Sequence, residues 1–260
     1  MATIYALTNQ KGGVGKTTSV ANLGAAFAER GKKTLLIDLD PQGGLTTSLG
    51  YNPDTFKQTV YHVFIEEIEF PQVTLETDIP NLDLVPANLD LAGAEAELLR
   101  EIGWDKILPG ALEPIQEKYD VILLDCPPTL GILTLSALAA ANIALVPLQC
   151  EFLSLRALKQ LTKIFTKTKR RANPGLDLLI FRTMYDKRTS HAKEISEEIG
   201  RVGGKKVLSA YVKRAIKVVD ASSSGKPVVV YAPNSEPAGA YRSIAHELLL
   251  IEKKKEQTHG

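Results

Sequence analysis

Cysteine, histidine and aromatic residues are scarce in this sequence of 260 residues, which holds two cysteines, four histidines and 6% aromatics. Cys126 and Cys150 lack C-x-x-C spacing, which argues against a disulfide framework or a thiolate zinc site. Both read as small, reduced residues near the ends of buried strands. His62, His191, His246 and His259 are scattered without metal-ligand spacing and read as structural or solvated. Long uncharged runs are rare too. Residues 130–150 carry no formal charge, about the length that crosses a bilayer. Pro127-Pro128 precede the run, Asn142 interrupts it and Pro147 lies near its end, so it reads as a helix over 130–141 and a strand over 143–147. Net charge is nearly absent at +1, while 44% of the residues are hydrophobic. That is enough for one full core. The expectation is a single domain over residues 1–254 and a flexible tail over 255–260.

What the chain does contain is a glycine-rich turn, Asn9-Gln10-Lys11-Gly12-Gly13-Val14-Gly15-Lys16-Thr17-Thr18. An apolar, β-prone run over 3–8 leads in and a helical pattern over 19–30 leads out, the context of a phosphate-binding P-loop. The glycines let the backbone amides of residues 12–18 turn inward, and the following helix adds its N-terminal dipole. ATP is the expected ligand. Lys16 would neutralise its outer phosphates and the Thr17 hydroxyl would ligate Mg²⁺. Lys11 stands where the common loop has its first glycine, so the turn carries two lysines. Later apolar runs over 33–37 and 119–124 deliver Asp38, Asp40 and Asp125 at their ends. In an open parallel sheet, ligands lie beyond the carboxyl ends of the strands, so these acids are expected on the phosphate side. The fold expected is α/β: a single-domain P-loop NTPase with a mostly parallel twisted sheet and helices on both faces. Between these motifs, helices over 59–67 and 89–100 and a strand over 82–86 are expected, with Glu95, Glu97 and Glu101 pointing outward.

Five motifs lie in order along the chain: the two-lysine loop after Asn9-Gln10, Asp38-Leu39-Asp40-Pro41-Gln42, Asp125-Cys126-Pro127-Pro128, Thr183-Met184-Tyr185-Asp186 and Gly225-Lys226-Pro227. Together they resemble the ParA/Soj partition ATPases, in the deviant Walker A group that also holds MinD and nitrogenase iron protein. The match is to the short form, without a helix-turn-helix domain before the loop. The resemblance implies a slow ATPase that closes into a homodimer on ATP and Mg²⁺. Lys11 would reach the partner's phosphates, Asp40 would position the attacking water, and Asp125, with Asp38 in support, would hold the metal. It further implies non-specific duplex DNA binding in the ATP state, stimulation by a ParB-like activator, a cytoplasmic, nucleoid-associated location, and a plasmid, chromosome origin or protein assembly as cargo. Val219-Asp220-Ala221-Ser222 departs from the Ser-Glu-Ala-Pro usual in relatives near the base-contacting loop.

Charge is segregated. Residues 156–217 carry 17 Lys and Arg against 5 Asp and Glu, a net +12, which leaves −11 for the rest. A one-sided basic region is an electrostatic footprint for a polyanion. No aromatic interleaving accompanies it, so duplex phosphates are expected rather than stacked single strands. By the resemblance, Arg188 and Lys217 match backbone-contacting positions of Soj-like dimers, with Arg214 a third candidate. Two other readings stay open. A final helix over 236–255 ends in an apolar cluster and lysines, like the membrane-targeting tail of MinD, though a packing helix is the plainer expectation. Paired cysteines could hold an iron–sulfur cluster, but neither Cys126 nor Cys150 lies in the expected setting.

Overall fold

Short runs rich in Leu, Ile and Val, too apolar for a one-sided sheet, build the centre of the fold. The computed structural model describes residues 1–259, apart from the side chains of residues 152–157, 256, 258 and 259. Eight strands form one sheet: β1 (Thr3–Leu7), β2 (Thr34–Asp38), β3 (Leu75–Glu76), β4 (Leu82–Val85), β5 (Val121–Asp125), β6 (Ile143–Gln149), β7 (Asp177–Thr183) and β8 (Val207–Tyr211). Their order is β3-β4-β2-β5-β1-β6-β7-β8, and every pair is parallel except β3 with β4. The expected fold class is therefore what the chain adopts. The uncharged run over 130–150 resolves into a helix, Ile132–Ala140, and β6. Among the described residues no helix is long and apolar enough to cross a membrane.

Helices cover both faces. The chain places α1 (Lys16–Glu29) and α2 (Gly44–Ser48) after β1 and β2. Between β2 and β5 come α3 (Val60–Ile65), α4 (Phe70–Val73), α5 (Leu91–Leu98) and α6 (Trp104–Leu112). After β5 follow α7 (Ile132–Ala140), α8 (Phe152–Arg171), α9 (Ser190–Gly203), α10 (Ile216–Ser223), α11 (Val228–Tyr231) and α12 (Glu236–His259). Alternation along the strands feeds two cores, since successive side chains point to opposite faces. Ile4, Ala6, Ile122 and Leu124 pack with α3 to α9, while Tyr5, Leu7 and Leu123 pack with α1 and α10 to α12.

The last helix is a structural member of the second core. Leu248 is fully buried, Leu249 and Ile251 are half-buried against the same cluster, and the Tyr5 hydroxyl donates to Glu252. The helix continues to His259, through residues that the sequence reading set apart as a tail; residue 260 lies outside the described residues. Another difference concerns α5. Glu97 and Glu101 are exposed, but Glu95 turns inward, and its Oε1 is buried without a hydrogen-bond partner. It lies where a Cβ on Gly131, at the N-cap of α7, would meet it at 2.2 Å. The carboxyl group thus sits beside the amino end of a helix.

Candidate nucleotide site and basic cleft

The order of the strands decides where chemistry can happen. β1 lies at the centre, with β5 on one side and β6 on the other, so the turn after β1 opens into the crevice at which successive connections diverge. Gly13 (φ 70°) and Gly15 (φ 85°) take left-handed backbone there, which a side chain disfavours. Hydrogen bonds to the ends of β6 and β7 brace the loop. Gln149 Nε2 donates to Gly13 O at 3.2 Å, Thr183 Oγ1 donates to Val14 O at 2.9 Å, and Asn9 Nδ2 donates to Pro147 O at 2.8 Å. Amides released from such bracing, at the N-terminus of α1, form an anion cradle.

Each expected site residue on the loop can now be placed. Gly12 and Gly13 are exposed, Val14 is buried, Gly15, Thr17 and Thr18 are half-buried, and Lys16 is buried with only 7% exposure. Burial pushes the Lys16 ammonium below its usual pKa, against the pull of Asp125. Lys11 behaves differently. It leaves the cradle, and its ammonium donates to Gln149 Oε1 at 2.7 Å and pairs with Glu151.

Three acids close the crevice. Asp38 and Asp125 are register partners on adjacent strands, and both are fully buried. Asp38 Oδ1 accepts from the Asp40 amide at 3.1 Å, and its Oδ2 accepts from the Thr46 amide at 2.9 Å and hydroxyl at 2.8 Å. Both oxygens are thereby used within the chain, holding the loop that carries Asp40. Asp40 is half-buried and accepts from the Gln42 amide at 3.0 Å. Burial lifts Asp38 to about 6 despite those hydrogen bonds. Asp125 is lifted well above the ordinary carboxylate range, first by burial and then by Asp38, with Thr17 and Lys16 pulling the other way. Both Asp125 oxygens are buried without a hydrogen-bond partner.

An orphaned, buried carboxylate beside Thr17 suits a divalent cation. Among the described residues, no three His, Cys, Asp or Glu converge as a ready-made metal cage. That fits Mg²⁺, which keeps waters and takes its remaining ligands from substrate phosphates.

Beyond the cradle lies a cavity of about 340 Å³, lined by Gly15, Thr18, Met184, Val212, Val219, Ser222 and Tyr241 among others. Its position next to the loop suits a nucleobase. The departing segment over 219–222 does reach this cavity. Sequence reasoning missed Val212 and Tyr241, which no motif marks. Met184 carries φ 50°, and its sulfur accepts from Gln149 Nε2 at 2.9 Å. Two turns outside this cavity also meet. Gly50, at the end of α2, and Gly225, after α10, approach so closely that a Cβ on Gly225 would lie 2.5 Å from Gly50 Cα.

The three basic candidates cluster only in part. Arg188 and Arg214 line one cleft of about 600 Å³ together with Lys213, Glu151, Asp186 and Glu236. Arg188 is 90% exposed and forks onto Asp186, donating from Nε at 2.9 Å and from Nη2 at 2.7 Å. That pairing holds Asp186 near 2. Lys217 lies outside the cleft, exposed on α10. Arg156, counted in the basic stretch, has its side chain outside the described residues. Residues 51–118, which build the opposite edge of the sheet through β3 and β4, carry 14 Asp and Glu against 4 Lys and Arg, a net −10.

Comparison with known proteins agrees with this geometry. A family model described as an AAA domain matches residues 2–178. The sporulation initiation inhibitor protein Soj of Bacillus subtilis is 39% identical over 249 residues, covering 95% of this chain and 98% of that protein. The chromosome partitioning protein ParA of Caulobacter vibrioides is 39% identical over 256 residues, covering 97% and 96%. Among solved structures, a Mycobacterium smegmatis protein described as cobyrinic acid a,c-diamide synthase, with bound ATP analog and magnesium, superposes with a TM-score of 0.86. It is 39% identical and covers 97% of this chain and 96% of its own.

Proposed function

Because the chain belongs to the Soj/ParA family of P-loop ATPases, we propose that it is a nucleotide switch in which ATP occupancy drives dimerisation and DNA binding, and hydrolysis reverses both. Positioning of a plasmid, a chromosome origin or a protein assembly is the work such a switch performs, with a ParB-like activator setting its rate.

The observation that carries the reading is the split between the two lysines. Lys16 is buried at the foot of the cradle, whereas Lys11 points out of it towards Glu151. Both would face one triphosphate if the loop served only its own nucleotide. A lysine aimed away from its own site supports a role on the phosphates of a second protomer, where it would offset the repulsion of two nucleotides brought face to face.

Within the site, the amides of residues 12–18 and Lys16 bind and orient the polyphosphate, and Asp40 orients the attacking water. Mg²⁺, held by Thr17 and, through water, by Asp125, would neutralise charge on the β- and γ-phosphate oxygens. Asp38 keeps the Asp40 loop in place through Thr46. The cavity at Met184 and Tyr241 takes the base. Arg188, Arg214 and Lys217 contact DNA phosphates from the basic edge.

Other readings find less support. Of the apolar residues at the end of α12, Leu248, Leu249 and Ile251 pack against the core and only Leu250 is exposed, which leaves little for a membrane. Amide synthesis, the activity in the name of the M. smegmatis protein, needs released ammonia, commonly through a thiolate. Cys126 and Cys150 are both buried, and burial pushes both thiols up, Cys150 to about 11. The same burial, at the ends of two different strands, disfavours a shared cluster.

The test is light scattering on the full chain with Mg²⁺ and a non-hydrolysable ATP analog. The wild type should double from its 28.3 kDa monomer and retain duplex DNA at low salt. Lys11→Ala should bind the analog yet remain monomeric and free of DNA. An undiminished Lys11→Ala dimer would overturn the trans role of this lysine.

A further inference from the structure

Away from the nucleotide, a groove of about 580 Å³ opens between the segment joining α3 to α4 and the end of α6. Its walls are Val63, Ile68, Phe70, Ile107, Ala111 and Ile115. Pro114 and Ile115 precede β5, so the groove lies towards the amino ends of the strands, opposite the P-loop. Nothing in the proposed ATPase cycle uses it.

Two features of this groove define an occupant. Only two charged residues line it, Glu67 and Glu69, both exposed acids, and on the same segments the exposed Glu66, Glu113 and Glu117 outnumber Lys106 and Lys118. Its interior offers no charged or hydroxyl side chain to orient a small polar ligand. A polyanion is repelled here, both by the rim and by the −10 edge to which these segments belong. Duplex DNA and anionic lipid surfaces are thereby disfavoured. Apolar side chains flanked by positive charge match both the floor and the rim, and an amphipathic helix presents that combination on one face. A volume of this size accommodates about three leucine-sized side chains.

We propose that this groove is a docking site for a lysine- or arginine-flanked amphipathic helix of a partner protein. The site goes beyond the ATPase reading and does not depend on it. A partner seated here approaches the edge opposite Arg188, Arg214 and Lys217, so it and DNA can be held together.

A fluorescein-labelled 15-residue helical peptide, with leucines at i, i+3, i+4 and i+7 spacing and lysines elsewhere, provides the probe. Anisotropy on the full chain in low salt should show binding on the order of 10 µM, weakening as salt rises and equal with or without ATP analog. The same peptide with glutamates for lysines should not bind. Two variants locate the contact: Glu67→Lys with Glu69→Lys reverses the rim, and Gly110→Trp adds bulk to the lining, where a Cβ meets nothing within 4 Å and so costs the fold little. Each should weaken the lysine peptide about tenfold or more, in line with the cost of opposing like charges or losing the pocket. Unchanged basal ATP hydrolysis in both reports intact folding. Absence of lysine-peptide binding overturns the proposal, as does affinity unmoved by both variants or equal binding of the glutamate peptide. Loss of duplex DNA or anionic-vesicle binding in the Gly110→Trp variant would reassign the groove to those ligands.

Discussion

The two edges of the sheet differ more than any other two parts of the molecule. One edge, residues 51–118 with β3 and β4, carries −10; the other, residues 156–217 with β7 and β8, carries +12. The crevice between them holds the loop, Asp38 and Asp125. A net charge of +1 conceals this separation, because solution behaviour near a surface follows local potential rather than the sum. Screening makes the lesson quantitative. At physiological salt, the field decays over about 8 Å, so a polyanion at the basic edge hardly senses the acidic one across the sheet.

Breaking the basic edge should have the largest effect. Arg214→Glu with Lys217→Glu should weaken duplex DNA binding about 100-fold at low salt, and neutralising either alone should flatten the log–log salt slope by about 0.9. Filter binding across a salt series checks both. Basal ATP hydrolysis should persist in Lys217→Glu alone, because Lys217 lines neither the cavity beside the loop nor the basic cleft, whereas Arg214 lines both.

A second substitution sharpens how the acidic edge meets the crevice. Gly131→Ala drives a methyl into the Glu95 carboxylate at the start of α7, which must swing aside at a cost of about 1 kcal/mol. Glu95→Ala should remove most of that penalty in the double variant. A denaturation cycle measures the coupling; simple additivity would mean that the two side chains do not meet.

The smallest effect isolates the crevice from both edges. Burial raises Asp38 above the ordinary carboxylate range, to about 6, so the folded chain holds this proton more tightly than the unfolded one. Its contribution to stability is therefore greatest at low pH and falls as pH rises from about 4 to about 6. The ligand-free Tm should drop by about 4 °C over that range. With Mg²⁺ and ATP analog, which bind the ionised acids, the trend should reverse. Scanning calorimetry with and without ligand distinguishes the two curves.

Legibility in the sequence followed a physical rule. Strands β1, β2 and β5 were readable because each is an apolar run that ends in a loop or an acid, and the central position of β1 made the phosphate loop readable with them. β7 and β8 gave no such sign. β7 contains Arg182, whose Nη1 donates to Ser196 Oγ and Nη2 to the Leu208 carbonyl, partners distant in sequence, while its Nε is buried without one. Glu95 was read outward from helical spacing, and only the tertiary contact with Gly131 turns it in. Of the cavity lining, Met184 lay within a recognised motif, whereas Tyr241 reaches the site from a helix begun more than fifty residues after that motif. Residues whose role depends on local chain geometry were legible; those recruited by packing were not.

The contact between Gly50 and Gly225 carries a thermodynamic obligation. Asp40 lies ten residues before one glycine and Lys217 eight before the other, and the two backbones meet with no room for a methyl group. Displacement of one segment must be accommodated by the other. By linkage, any free energy that nucleotide lends to binding on the basic edge is returned in equal measure, so a ligand held there tightens the grip on nucleotide by the same factor. The protein then reads as a reciprocal device, in which surface occupancy is reported back to the site of hydrolysis.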